Sequence, residues 1–207
     1  MIDPTTGMSA STTPYIEATP ARPDGGNELH ETPVGILAGI VEQIVLIEGP
    51  VHVDEVTARV RSAWDLQRSG GRIQSSVERA ISQSVQTHRL KIENQFLSVP
   101  GASVRVRDRS GVTSAGLRRP DMLPPQEVKE GVLHVVRRNL GGGQDEIAQT
   151  VAHLLGFKAT SAQLREVVYS AISGLVQEEI LVRRGELLAL KDIESGPIRP
   201  ATASKPQ

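Results

Sequence analysis

The sequence predicts an α+β, mostly helical chain made of one unit written twice, with three helices and a β-hairpin in each copy. Three observations predict it. VDEVTARVRSAWDL from Val53 reads against QDEIAQTVAHLLGF from Gln144 at a shift of 91 positions (144 − 53), without a gap. The same shift puts Ile73 on Leu164, Val77 on Val168, Ile81 on Ile172, Val85 on Val176, Leu90 on Leu181 and Leu97 on Leu188. The matched positions are apolar while the letters between them differ, as expected of one core carrying two surfaces. Each copy also ends in a short alternating run with a turn residue in its middle.

The elements follow in order. Residues 1–32 are rich in Pro, Thr, Ser and Gly and read as a disordered tail. They have neither the basic start nor the apolar stretch of a secretory leader. The first unit covers 33–100. Val34, Ile36, Leu37, Ile40, Val41, Ile44, Val45 and Ile47 keep helical spacing, and Gly49–Pro50 stops the helix. Asp54 suits the first turn of a second helix, whose inner face carries Val56, Val60 and Trp64. RSGGR breaks the chain, and a third helix runs from about Ile73 to His88 with Val77, Ala80, Ile81 and Val85 inward. RLKIENQFLSV then alternates around Asn94, a residue that tolerates positive φ. Residues 101–125 form an Arg/Pro-rich connector. The second unit covers 126–192, with helices near 126–140, 144–155 and 160–178 and a hairpin turning at Gly185. Residues 193–207 read as a second disordered tail. Three helices closed by a two-stranded hairpin is the winged-helix arrangement, a relative of helix-turn-helix, so the chain reads as two winged helices in tandem.

Composition excludes several chemistries. The 207 residues contain no cysteine, so disulfides, thiolate metal sites and cysteine nucleophiles are absent. No apolar run approaches the roughly 20 residues of a membrane span. A cytoplasmic protein without membrane contact is the expectation. The five histidines have no metal-ligand spacing. RSGGR, NLGGGQDE and LGFKAT are the glycine-rich stretches, and none has the G-x-x-x-x-G-K-[ST] spacing of a phosphate-cradling loop. The acid pairs Asp54–Glu55 and Asp145–Glu146 each open a helix, where carboxylates complement the dipole. No catalytic residue, metal site or cofactor is therefore expected, and no enzymatic activity.

The runs IEGPVHVDEVTARVRSAWDLQRSGGRIQSSVERA, VRDRSGVTSAGLRRPDMLPP and LLGFKATSAQLREVVYSAI resemble a conserved region of unknown function. That region lies at the C-terminal end of large bacterial proteins similar to superfamily I DNA helicases, with an ATPase core and a restriction-endonuclease-like domain upstream. The resemblance covers about Pro33 to Leu190. It implies an accessory module that partners a helicase-like ATPase, whose core is not within these residues.

The candidate site is a nucleic-acid interface. Net charge is −1, so no global basic field draws in nucleic acid. Removing the inward positions from the first unit's third helix, however, leaves Arg72, Ser75, Ser76, Arg79 and Gln83 facing out. Small polar and basic groups on one helical face suit a major groove. Arg89 and Lys91 at the hairpin start would add phosphate contacts. Arg105, Arg107, Arg109, Arg118 and Arg119 in the connector either track a phosphate backbone or pair with the acids of the two units. The matching face of the second unit includes Arg165, Glu166, Tyr169 and Ser170, followed by Glu178 and Glu179, and repels phosphate. With five aromatics in all, a base-stacking single-strand platform is disfavoured, which leaves duplex or junction DNA as the expected partner. The alternative is a protein–protein scaffold of tandem winged helices without nucleic-acid binding.

Overall fold

The computed structural model describes residues 12–68 and 70–191. Its first element is a short strand, β1 (Thr13–Pro14), followed by an irregular stretch and a 3-10 turn at Leu29–Glu31. The first unit then runs α1 (Val34–Glu48), β2 (Val51–His52), α2 (Val53–Ser62), α3 (Gly71–Gln86) and the hairpin strands β3 (Lys91–Glu93) and β4 (Phe96–Ser98). The connector carries β5 (Arg107–Asp108) and two further 3-10 turns. The second unit runs α4 (Pro125–Asn139), β6 (Gly142–Gly143), α5 (Gln144–Leu154), α6 (Ala162–Gln177), β7 (Leu181–Arg184) and β8 (Leu187–Leu190). The chain is α+β and mostly helical. Each element of the first unit recurs 91 residues later to within one residue, first helix and two-residue strand included. The sheets repeat too, in the orders β2-β4-β3 and β6-β8-β7, with Val51 opposite Leu97 and Gly142 opposite Leu188. This order is compatible with two winged helices.

Within each unit the first and third helices pack on one another and the hairpin closes the end of the core. Val41, Ile44, Val56, Val60, Val77 and Leu97 fill the first core, and Val132, Val135, Ile147, Val151, Val168 and Leu188 fill the second at the same offset. Trp64, Ile81, Leu90, Leu155, Ile172 and Leu181, all expected inside, are buried. Two apolar residues of the helical pattern in α1, Ile36 and Ile47, are exposed instead. The third helices end alike. His88 and Glu179 take positive φ (56° each), and the N–H groups of Arg89 and Ile180 reach back to the carbonyls of Ser84 and Leu175. The N–H groups of His88 and Glu179 meet Val85 and Val176, which completes a Schellman stop in both units and turns the chain into the hairpin. Asn94 and Gly185 sit at the hairpin turns with φ of 48° and 63°.

The expected disordered tail over 1–32 is corrected from residue 12 onward; residues 1–11 lie outside the described residues, as does the expected tail over 193–207. β1 pairs in parallel with β5 of the connector, Thr13 opposite Arg107 and Pro14 opposite Asp108. Tyr15, Ala18 and Leu29 are buried, and Trp64 donates its indole N–H to the Asn27 carbonyl at 3.0 Å. Composition suggested disorder because the segment has too few apolar groups to make a core of its own. It is ordered instead by docking against cores that already exist, and by contributing an acid, Glu17, to a buried ion cluster.

Candidate nucleic-acid interface

The third helix of the first unit presents the strip on which nucleic-acid contact was expected. Val77, Ala80, Ile81 and Ser84 face the core, leaving Arg72, Ser75, Arg79 and Gln83 exposed. Residues 72, 75, 79 and 83 are spaced by three or four, so they share one side of the helix. Arg68, in the loop before the helix, is exposed as well. Ser76 corrects the expectation: it is buried, because its position falls one turn before Ala80 on the inner face, and its hydroxyl accepts from the Arg79 guanidinium at 3.1 Å. Arg79 also reaches the Ser75 carbonyl at 3.3 Å, so its side chain lies back along its own helix. Glu78, exposed beside the strip, accepts from Gln74 at 3.1 Å.

The outlying cations are less free than the sequence suggests. Arg89 is exposed but pairs with Glu42 of α1 at 3.0 Å, and Lys91 lies 3.5 Å from Glu93. In the connector Arg118 donates to the Val112 carbonyl and Arg119 pairs with Asp121, although both are exposed. Arg105 is exposed and has no ion-pair or hydrogen-bond partner among the described residues.

Arg107 and Arg109 are removed from any DNA surface. Arg109 is 1% exposed and Arg107 is 8% exposed. Both are bound to Glu127 of α4, which is fully buried: Arg109 by two bonds of 2.9 and 2.7 Å, Arg107 by one of 2.6 Å and by its backbone N–H at 2.8 Å. Arg107 further donates to the carbonyls of Glu48 and Pro50 in the first unit, at 2.5 and 2.9 Å. The Tyr15 ring lies against both guanidinium groups, 4.6 and 5.0 Å from its centre. Desolvation of a buried charge is costly unless it is paired, and Glu127 pairs both arginines in the interior, although the Nε of each is buried without a hydrogen-bond partner among the described residues.

A second buried acid, Glu48 at the end of α1, completes the junction. It accepts from the Tyr15 hydroxyl at 2.9 Å, the Ala18 N–H at 2.8 Å and the Arg59 guanidinium at 2.7 Å. Arg59 also pairs with Glu17 at 2.9 Å and with Glu55 at 3.4 Å. Glu17 is held in turn by the N–H and hydroxyl of Thr113 and by the N–H of Ser114. Burial alone would push the Glu127 carboxyl up, but Arg109 and Arg107 outweigh it and hold it below the ordinary glutamate range. Glu17 is likewise held low, its burial outweighed by the Thr113 and Ser114 donors and by Arg59. Burial, followed by the Glu48 charge, pushes the Tyr15 phenol far up, so it stays a donor. Glu17, Glu48 and Glu127 were not expected in a functional or structural role. The available signal was weak: Glu48 keeps the helical spacing of Val41, Ile44 and Val45, and Arg105, Arg107 and Arg109 alternate with valines and an aspartate.

On the second unit Glu166 is exposed on the matching helix face, where Ser75 stands in the first. Tyr169 donates to Asp145, and Arg165 lies 4.0 Å from the same carboxylate. Among the described residues no group of three His, Asp or Glu side chains is placed to hold a metal ion, and no helix is long and apolar enough to cross a membrane. No curated protein and no solved structure matches the chain. A family model does match over residues 27–75, from the segment before α1 into the first turns of α3, and it is described as a protein of unknown function (DUF3320).

Proposed function

We propose that this chain is a non-catalytic accessory module that binds duplex or junction DNA through α3 and works with a helicase-like ATPase in the cytoplasm. The observation that carries the reading is the solvent-facing strip of Arg72, Ser75, Arg79 and Gln83, with Arg68 beside it. A helix of this kind fits the width of a major groove, serine lets its backbone come close, and arginine meets phosphates or guanine edges. The same positions in the second unit are Gln163, Glu166, Ser170 and Gly174, so the repeat conserves the core and gives a cationic strip to one copy only. The ATPase partner rests on the resemblance to the C-terminal region of helicase-like proteins.

The test is retention on duplex DNA across a salt series. Each phosphate contact contributes a slope of about −0.9 in log K against log salt, so a strip with two arginines and one flanking cation gives a slope of roughly −2 to −3. A chain that passes DNA at every salt concentration is not a DNA-binding module.

A second reading is a protein scaffold of tandem winged helices. It is favoured by the loss of Arg107 and Arg109 to the interior and by the pairing of Arg89 and Lys91 with acids, which reduce the cationic surface.

A further inference from the structure

A cavity of about 240 Å³ lies where the connector meets the second unit, between residues 109–110, Arg118 and the loop that joins α5 to α6. Its lining is Arg109, Ser110, Arg118, Gly156, Phe157 and Lys158, with three cations and no carboxylate. Gly156 lets the walls meet, since a Cβ there would lie 2.6 Å from the Arg109 N–H nitrogen. The repeat shows that the fold does not require a cation in this loop. Lys158 stands where the first unit has Gln67, and Gly156 where it has the acid Asp65. The cavity also lies away from both ends of the described chain. β1 runs parallel to β5, so residue 12 falls towards 106 and away from 110, and the Lys191 N–H is bonded to the Ile180 carbonyl, at the opposite end of α6 from Lys158.

Two of the three cations are not neutralised by acids of the chain. Lys158 is exposed and has no ion-pair or hydrogen-bond partner among the described residues. Arg118 is exposed and donates to a neutral acceptor, the Val112 carbonyl. The third, Arg109, is paired with Glu127, but through its two terminal nitrogens. Its Nε–H is therefore turned to another side, and it meets no acceptor among the described residues. Asp108, the acid that abuts Gly156, is held by the Ser110 N–H at 2.7 Å and is not part of the lining. Two mobile cationic side chains and a buried, part-satisfied guanidinium thus share one small cavity.

We propose that this cavity binds a phosphate dianion, either free or as the terminal monoester of a larger molecule. Arg118 from the connector and Lys158 from the second unit supply two positive charges, which match the charge of a phosphomonoester near neutral pH. The planar guanidinium meets two phosphate oxygens at once and the ammonium meets another. The Ser110 hydroxyl is a further donor on the same wall. A space of this size admits a phosphate group and not a duplex, so the inference goes beyond DNA binding by α3 and stands without it.

The test is titration of the whole chain in 1H–15N NMR at constant ionic strength, with inorganic phosphate in one arm and a short single strand carrying a 5′-phosphate in the other. Saturable shifts of the amides of 110–111 and 156–158 are expected, half complete at about 1 mM or below. The arm that saturates at the lower concentration identifies the carrier. Dimethyl phosphate, a diester with one charge, and the same strand without its 5′-phosphate should bind at least about tenfold more weakly. Lys158→Gln, which copies the residue of the first unit, should weaken phosphate binding by about tenfold with the unfolding midpoint unchanged. Arg118→Gln should weaken it similarly. That variant also gives up the Val112 bond, so where the two disagree the Lys158 variant decides. Arg72→Glu combined with Arg79→Glu should leave phosphate binding unchanged, which separates the cavity from the DNA strip. The proposal is overturned if neither probe saturates below about 10 mM, if the shifts spare 110–111 and 156–158, if the diester binds as well as phosphate, or if Lys158→Gln binds as the parent does.

Discussion

Glu127 is fully buried and holds two arginines of the connector. It is enclosed by two guanidinium groups that form no ion pair with another carboxylate among the described residues. Glu127→Gln keeps the shape and removes the charge, leaving Arg107 and Arg109 buried without a counter-ion. Breaking a buried pair in this way costs about 3–5 kcal/mol, to be read from denaturant unfolding. A loss under about 1 kcal/mol would place the cluster in a surface-like, screened setting. The lowered Glu127 and Glu17 carboxyls also fix the sign of the pH response. Their stabilisation is fully present above the ordinary glutamate value of about 4.3 and is lost as pH falls through the lowered values. Thermal unfolding followed from pH 6 down to pH 3 should show the midpoint dropping at the acid end. At this scale little was legible. Periodicity marks which side of a helix faces inward, but it does not reveal an acid there whose partners lie far along the chain, as Glu48 and Tyr15 do. For the connector arginines the sequence left two fates open, a phosphate backbone or the acids of the two units, and Arg107 and Arg109 take the second, on Glu127.

Elements were far more legible, because each is written twice. The helix boundaries expected for the second unit fall within two residues of those found, and the third helices end on the same hydrogen-bonded stop. Ile81→Ala should cost about 2–5 kcal/mol, since Ile81 packs in the core between α1 and α3. A loss below about half a kcal/mol in denaturant unfolding would mean a different inner face. Gly156 follows α5 at φ 87°, where a Cβ would lie 2.6 Å from the Arg109 N–H nitrogen and collide with the Asp108 carboxylate. Its counterpart Asp65 takes positive φ (54°) at an exposed position. Gly156→Ala should therefore lower the unfolding midpoint, while Asp65→Gly should leave it unchanged or raise it. Ser76 was misplaced at this scale, because a small polar residue on the inner face looks like a surface residue in sequence.

At the scale of the whole molecule the two units are joined by segments that composition assigned to tail and connector. β1 and β5 pair across the junction, and Glu17, Glu48, Arg59, Arg107, Arg109 and Glu127 tie the first segment, both units and the connector together. Deleting residues 1–18 removes Tyr15 and Glu17 from that cluster and should make the connector a preferred site of limited proteolysis. Unchanged cleavage would show that the ordered segment is a passenger. The candidate DNA strip was legible because it is local to one helix, whereas the connector arginines were not, since their fate depends on a contact between units. The central claim is that the α3 strip meets DNA. Its most direct test is duplex binding at moderate salt by the Arg72→Glu, Arg79→Glu double variant. The second unit's Arg165→Glu, Glu166→Arg variant is carried beside it. The account predicts that the first loses binding at moderate salt with its fold intact, while the second binds as the parent does. Parent-like binding by the α3 variant, or no binding by the parent, would contradict it.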